Sequence, residues 1–93
     1  MSKSSDSPHT DLSRQFEQAA IDVKDLSERP DNDTLLRLYA LYKQGSEGDV
    51  SGEKPGFFDF VGTAKYEAWG KLKGTAQDEA MKKYVDLVKK LRS

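Results

Sequence analysis

The residue types best suited to ligand chemistry lie close together at Tyr39, Tyr42 and Lys43. If this segment is helical, residues three and four apart share one face, so both phenol rings and the ammonium group lie together. Two phenol rings can stack on a planar base and donate hydrogen bonds, and a neighbouring lysine can neutralise a phosphate. The cluster suits a nucleotide-like ligand. The alternative is an ordinary helix edge, with amphipathic tyrosines beside a solvated lysine.

Three further residues are weaker candidates. Lys65 is expected near the start of a helix, where free N–H groups favour anions although a lysine opposes the helix dipole. Lys24 lies on the first predicted helix. Tyr84 falls on an apolar stripe, so it is expected in the core with its hydroxyl turned outward. Trp69 is also expected in the core.

Two apolar groups complete the set. Leu35, Leu36 and Leu38 could belong to the core or line a groove for an aliphatic chain. Phe57 and Phe58 are expected to anchor a long loop to the rest of the molecule.

The composition excludes several kinds of chemistry. The chain has 93 residues, of which 35% are hydrophobic and 33% charged, and this predicts one soluble domain. It contains no cysteine, and its one histidine, His9, lies in a polar segment, so we expect neither a metal site nor a His-dependent triad. No carboxylate is paired with a plausible nucleophile, and we expect no enzyme activity.

The charge is almost balanced, with 15 basic and 16 acidic residues. A net charge of −1 argues against nucleic-acid binding, which needs a broad basic field. The halves differ: residues 1–53 contain 6 basic and 11 acidic residues, whereas residues 54–93 contain 9 basic and 5 acidic residues. The second half could therefore supply lysines to a small anion, although solvated helix faces explain the same charges.

Apolar spacing predicts four helices and no strand. Residues 1–10 are predicted to be a disordered tail, followed by a helix that begins at Thr10 or Asp11 and ends before Pro30. Asp31 or Asp33 is expected to cap a second helix that ends near residues 44–46. A third helix over 61–73 should end at Gly74, and Thr75 should cap the fourth.

The connection lengths predict the topology. Short links within the first and second helix pairs favour antiparallel neighbours. Residues 45–60 contain four glycines and a proline, which indicates a long loop. Extended, it could span about 45 Å, roughly twice the length of a 15-residue helix. It can therefore return along the whole bundle, so we expect an all-α, up-down-down-up four-helix bundle with an overhand loop between helices 2 and 3.

Several motifs in order resemble the acyl-CoA-binding protein family. They are YALYKQ at 39–44, GD at 48–49, KPGFFDF at 54–60, AKYEAW at 64–69 and LKGTAQDEAMKKYVDLVKKL at 72–91. The resemblance covers residues 12–91 and implies the same four-helix fold, with residues 11–93 as the acyl-CoA-binding domain. It also implies a small cluster between helices 1 and 4, formed by Phe16, Ala20, Val23, Leu26, Tyr84, Val85, Val88 and Leu91.

The resemblance implies one-to-one binding of medium- to long-chain fatty acyl-CoA esters without catalysis. In the family, the positions of Tyr39, Lys43 and Lys65 hold the ribose 3′-phosphate of CoA, and that of Tyr42 packs on the adenine. The positions of Lys24 and Tyr84 also line the site. Many members read DFKGKAKW where this chain reads DFVGTAKY at 59–66, so Val61 and Thr63 replace lysines and Tyr66 replaces a tryptophan. The anionic end of the ligand is therefore expected to be held less tightly.

The expected protein is a monomeric, cytoplasmic carrier and buffer that needs no cofactor and does not insert stably into a membrane. A helical protein-interaction module is the main alternative, with Tyr39 and Tyr42 on the partner surface. A thioesterase acting on the same ligand is the third hypothesis. The preferred chain length and the recipient of the ligand do not follow from these residues.

Overall fold

Four α-helices make up the fold of residues 8–93. The computed structural model describes the backbone of residues 8–93 and the side chains from residue 11 onward. The helices are α1 (Pro8–Asp22), α2 (Asn32–Glu47), α3 (Phe60–Gly70) and α4 (Gln77–Arg92). A short 3-10 turn, Val23–Asp25, extends the end of α1, and residues 8–93 contain no β-strand. The all-α prediction is therefore confirmed.

The start of α1 differs from the sequence expectation. The helix begins at Pro8, two residues before Thr10, and proline is favoured in a first helical turn because its missing N–H would have no partner there. The expected tail therefore overlaps the helix by three residues. The rest of that tail, residues 1–7, lies outside the part of the chain that the structure describes.

The boundaries of α2 and α4 are set by different caps. The Asp31 carboxylate accepts a hydrogen bond from the Thr34 N–H at 2.8 Å, which confirms Asp31 as the N-cap of α2. The expected Thr75 cap of α4 is wrong, because the N-cap is Ala76, which makes no side-chain capping hydrogen bond. Gly74 is also not the residue that ends α3. It has a φ of 93° and lies at the end of a turn that follows the helix.

Contacts between helix ends define the directions of three helices. Arg92 at the end of α4 pairs with Asp22 at the end of α1, with 3.0 Å between nitrogen and oxygen, so these helices run parallel. The Gln77 amide at the start of α4 donates to the Gly45 carbonyl near the end of α2, at 3.2 Å. Helix α2 is therefore antiparallel to both.

Helix α3 runs parallel to α2. The Trp69 indole near its end donates to the Gly48 carbonyl at 2.8 Å, and Lys65 near its middle lies over the ring of Tyr39 on α2. These contacts confirm the up-down-down-up topology. The connecting loop is residues 48–59, which return the chain along the bundle.

The main core is formed by only three of the helices. Helix α4 packs between α1 and α2, whereas α3 packs mainly against α2. The buried cluster contains Phe16, Ala19, Leu38, Leu41, Ala80, Tyr84, Val85 and Val88. The expected members Ala20, Val23 and Leu91 pack at its edge, while Leu26 lies outside it. Leu38 and Leu41 of α2 were not in the expected cluster.

A polar network centred on Gln44 joins the end of α2 to two connections. The Gln44 side chain is fully buried, and its amide donates to the Asp49 carboxylate at 2.9 Å and to the Thr75 carbonyl at 2.8 Å. The same Asp49 oxygen accepts the Gly74 N–H at 2.8 Å. These hydrogen bonds hold the pKa of Asp49 below its usual value, because they favour the carboxylate. The network fixes the start of the 48–59 loop relative to α4.

The aromatic residues of the loop do not anchor it, contrary to the sequence expectation. The Phe57 and Phe58 side chains are 84% and 82% exposed. They contact each other edge to face, with 5.0 Å between ring centroids. The loop is held instead by polar contacts near its start and by Trp69, whose predicted burial is confirmed at 5% exposure.

Replacing Gln44 by leucine is expected to lower the free energy of unfolding by about 1–3 kcal/mol, because the partly buried Thr75 carbonyl and the Asp49 carboxylate each lose a donor. Thermal or urea unfolding measures the change. Gln18→Leu is the matched control, since the Gln18 amide makes only an exposed hydrogen bond to Asp22 within α1. Equal destabilisation by the two substitutions would contradict a special role for the buried network.

Candidate functional site

A large cleft lies where α3 stands apart from the three-helix core. Its volume is about 970 Å³, and it is lined by residues of α1, the connection to α2, α2 itself, the first half of α3, and Tyr84 of α4. The cleft exists because α3 packs mainly on α2, which leaves a gap between α3 and α1. It accommodates a ligand much larger than a simple ion.

Most of the cleft wall is apolar. Leu35, Leu36 and Leu38 line it from α2, and Ala20, Ile21 and Val23 line it from the end of α1 and the turn that follows. Phe60, Val61 and Ala64 form the α3 side. Leu35 and Leu36 therefore line the predicted groove, although Leu35 also packs against the core.

The charged residues of the wall are all cations. Lys24, Arg29 and Lys65 line the cleft, and no aspartate or glutamate does so among the residues that the structure describes. A cleft whose wall is mostly apolar, and whose charged lining residues are all cations among those described, suits a ligand that is both apolar and anionic.

Five of the six predicted site residues line this cleft. They are Lys24, Tyr39, Tyr42, Lys65 and Tyr84. They come from four helical segments, which the topology brings together because α4 and α2 share the core and α3 lies beside α2. Lys65 and Tyr39 touch directly, with 5.2 Å between the Lys65 Nζ and the centre of the Tyr39 ring. This cation–π contact holds the ammonium at the cleft.

Tyr42 and Tyr84 form an aromatic cluster with Phe16. The rings of Phe16 and Tyr42 stack with 5.2 Å between their centroids, and Tyr84 meets Phe16 edge to face at the same distance. Tyr42 remains 41% exposed, so part of its ring is free to contact a ligand. Tyr84 is only 4% exposed, which confirms its expected place in the core.

Lys43 does not line the cleft. Its Nζ pairs with the Glu47 carboxylate one helical turn later and lies 4.8 Å from the centre of the Trp69 ring. The hydrogen bond to Glu47 raises the pKa of Lys43 above its usual value, because it stabilises the ammonium form. Lys43 therefore faces the end of α3 and not the gap between α3 and α1.

Sequence reasoning missed two polar residues of the wall, Arg29 and Asn32. Both lie in or next to the short connection between α1 and α2, which carries no periodic pattern. The signal that could have found Arg29 is its position beside Pro30, which fixes the connection near the start of α2 and hence near Leu35. The apolar residues Ile21 and Phe60 were also missed, because they lie off the helical stripes that face the core. The position of Val61 was noted only through the resemblance, as one where many family members carry a lysine.

The fold and the cleft define a small all-α protein with a large, mainly apolar cleft whose charged lining residues, among those that the structure describes, are all cations. The family model described as acyl CoA binding protein matches residues 13–88. The chain therefore belongs to the acyl-CoA-binding protein family, which confirms the resemblance carried by the sequence motifs.

Individual relatives agree with this assignment. Acyl-CoA-binding protein homolog 1 of Caenorhabditis elegans is 54% identical over 76 residues, which cover 82% of this chain and 88% of the relative. The crystal structure of Oryza sativa acyl-CoA-binding protein 2 is similar with a TM-score of 0.81 and 38% identity, covering 86% of this chain and 89% of that one. The solution structure of the yeast acyl coenzyme A binding protein has a TM-score of 0.70 and 48% identity, covering 85% and 92%.

Two further observations concern the described residues only. No helix among them is both long and apolar enough to cross a bilayer. They also contain no group of three or more histidine, cysteine, aspartate or glutamate side chains that could hold a metal ion. The His9 side chain lies outside the described residues.

The buried phenol of Tyr84 gives the site a measurable pH signature. Burial raises the pKa of Tyr84, and the nearby Tyr42 adds to the effect. In an alkaline titration followed by tyrosinate absorbance, Tyr84→Phe should remove a late-ionising component. The unfolded chain ionises first, near pH 10, so the stability contributed by neutral Tyr84 is present below that pH and lost as the pH rises through the folded value.

The control for this titration is Tyr66→Phe. Tyr66 lies outside the cleft, where its hydroxyl donates to the Gly52 carbonyl. This variant should keep the Tyr84 component. An unchanged late component in Tyr84→Phe would show that burial does not set the ionisation of this phenol.

Proposed function

We propose that this protein binds medium- to long-chain fatty acyl-CoA esters one-to-one, as an intracellular carrier and buffer that does not catalyse a reaction. The observation that carries the proposal is the cleft, whose long apolar wall meets Lys24, Arg29 and Lys65 without a lining carboxylate among the described residues. An acyl-CoA ester combines a long hydrocarbon chain with several phosphate charges. Family membership and the named relatives support the same ligand.

The apolar wall accounts for the affinity. Burying a CH₂ group contributes roughly 0.8 kcal/mol, so a dozen methylenes contribute up to about 10 kcal/mol. Ordering a flexible ligand costs several kcal/mol of this gain. The chain therefore sets how tightly the ester binds, and the leucines of α2 together with the start of α3 are its contacts in this proposal.

The polar residues account for head-group recognition. In this proposal Tyr39 and Lys65 hold the ribose 3′-phosphate, and the exposed part of the Tyr42 ring packs on the adenine. The contact between Lys65 and Tyr39 supports the first assignment, because it holds a cation beside a phenol donor. Lys24 and Tyr84 complete the wall around the ligand.

Lys43 has a conditional role in this proposal. It contributes to phosphate binding only if its side chain leaves Glu47 and turns toward Tyr39, which lies one helical turn earlier on α2. The long lysine side chain permits this movement. Arg29 supplies an additional cation at the cleft, and it compensates in part for the lysines that Val61 and Thr63 replace.

The proposal includes a monomeric, cytoplasmic protein that acts without a cofactor, does not bind nucleic acid and does not insert stably into a membrane. Light scattering of the purified protein tests the oligomeric state. A free-thiol assay during incubation with palmitoyl-CoA tests for thioester hydrolysis, which the proposal excludes. A protein-interaction module remains the second hypothesis, since Tyr42 is exposed, and it requires indifference to acyl-CoA.

Affinity is expected to rise with acyl chain length, because each added methylene buries more apolar area until the cleft is filled. Calorimetric titration should compare octanoyl-, lauroyl- and palmitoyl-CoA with free CoA, below the micelle concentration of each ester. The expected result is one-to-one binding of the palmitoyl ester and weak binding of free CoA. Equal affinity for free CoA and the palmitoyl ester would contradict a contribution of the apolar wall to binding.

Lys65→Ala should weaken binding of palmitoyl-CoA by about tenfold to a hundredfold, because a charge-assisted contact to phosphate is lost. Binding of the 3′-dephospho ester should change much less. Lys82→Ala is the matched control, since it removes the same charge from an exposed position on α4 outside the cleft. If Lys65→Ala weakens both esters equally, Lys65 does not contact the 3′-phosphate.

A further inference from the structure

An exposed apolar surface lies at the junction of the long loop and α3. It consists of Phe57, Phe58, Phe60 and Val61, which we call the aromatic tip. Their side chains are 84%, 82%, 72% and 67% exposed, respectively. Four large apolar residues within five positions are all exposed, and such a concentration of exposed apolar side chains is typical of an interaction surface.

The backbone under the aromatic tip is held in place by hydrogen bonds. The Asp59 N–H donates to the Gly56 carbonyl at 3.0 Å, which closes a turn around Phe57 and Phe58. The Asp59 carboxylate then accepts the Gly62 N–H at 2.8 Å and caps α3. Because both hydrogen bonds support this conformation, the rings are presented outward by local structure.

The aromatic tip is continuous with the cleft. Phe60 and Val61 belong to the tip and also line the cleft wall. Across the opening, Ile21 of α1 lines the same cleft and is 56% exposed. Exposed apolar residues therefore lead from the cleft wall at Phe60 and Val61 to Phe58 and Phe57, which precede them in the chain with only Asp59 between.

The segment that carries the tip has balanced charges. Lys54 pairs with Glu67 at 3.5 Å, and residues 54–67 contain one further cation, Lys65, and one further anion, Asp59. The net charge of residues 54–67 is therefore 2 − 2, which is zero. Such a surface complements an electrically neutral partner and gains little from an anionic one.

We propose that the aromatic tip docks onto the surface of a zwitterionic lipid bilayer, with its phenyl rings at the boundary between headgroups and acyl chains. The biological role of this docking rests on the proposed function, because it assumes that the cleft binds an acyl chain. A fatty acyl chain that leaves a bilayer at the tip reaches the cleft along apolar side chains, and less of it is exposed to water. Projecting rings enter a soft bilayer without the complementary pocket that a protein partner would have to supply.

The experiment is flotation of the ligand-free full chain with phosphatidylcholine vesicles, with and without added phosphatidylserine. We expect the protein to float with both, and to remain bound at raised salt because the tip carries no net charge. The double variant Phe57→Ser/Phe58→Ser should bind vesicles about tenfold less, since two rings lose their apolar contact. Phe57→Leu/Phe58→Leu is the conservative control and should retain binding.

Solution binding separates this proposal from the proposed function. Phe57 and Phe58 do not line the cleft, so the serine variant should bind palmitoyl-CoA in solution with unchanged affinity. It should extract palmitoyl-CoA from vesicles more slowly than the unaltered protein. If the unaltered protein floats with vesicles but does not bind palmitoyl-CoA, the proposed function fails and the docking surface stands.

Three results would overturn the docking proposal. The first is absence of flotation of the unaltered protein with either vesicle. The second is equal flotation of the serine variant, provided that its circular dichroism shows a folded helical chain. The third is concentration-dependent self-association that the serine variant lacks, without flotation, which would make a second copy of this chain the partner.

Discussion

The placement of α3 is the constraint on which the cleft depends. This helix contributes no residue to the main buried cluster, so the core alone does not position it. Its position is set by contacts with α2 and with the start of the loop, above all by Trp69, which is buried and donates to the Gly48 carbonyl. Gln44 and Asp49 hold that part of the loop against the α3–α4 connection. Fixing one end of α3 in this way keeps its other end away from α1, and the gap becomes a binding cleft.

The same arrangement provides different side chains for the apolar part and the charged part of an amphiphilic ligand. Leucines of α2 and the first turn of α3 provide an apolar wall, while lysines lie at its margin. Lys65 is stabilised by the Tyr39 ring, and no carboxylate among the described residues forms an ion pair with it. A cation held by an aromatic ring keeps its charge available for a phosphate. Lys43 is in the opposite situation, because Glu47 already neutralises it and would have to be displaced.

Much of the fold could be predicted from the sequence, because local signals and connection lengths agreed. The periodic stripes gave the correct number of helices, Asp31 is the cap of α2, and the long loop implied the observed topology. The errors occurred where tertiary contacts override local preference. Thr75 resembles an N-cap, yet its carbonyl is the acceptor of the buried Gln44 amide, and α4 begins two residues later. A hydrogen bond across 31 positions leaves no local trace in the sequence.

The candidate site could be predicted only in part, because local sequence shows the chemistry of a side chain but not always the direction in which it points. The tyrosines and Lys65 were found because their chemistry is distinctive. Arg29 and Asn32 were missed because a short irregular connection has no pattern that shows which way its side chains face. The exposure of Phe57 and Phe58 was missed because phenylalanine side chains are usually buried. Here the turn closed by the Asp59 N–H presents them to solvent.

One residue that departs from the family pattern, Val61, belongs both to the cleft wall and to the aromatic tip. Val61 stands where many family members carry a lysine, and it is both part of the cleft wall and 67% exposed. A valine here removes a cation that could face a phosphate, but it extends the apolar surface from the cleft to Phe60. If the cleft binds an acyl-CoA ester as proposed, we expect this change to weaken contact with the anionic end of the ligand and to favour contact with its hydrocarbon chain. The side chain at this position would then shift the balance from head-group binding toward contact with the acyl chain at an apolar surface.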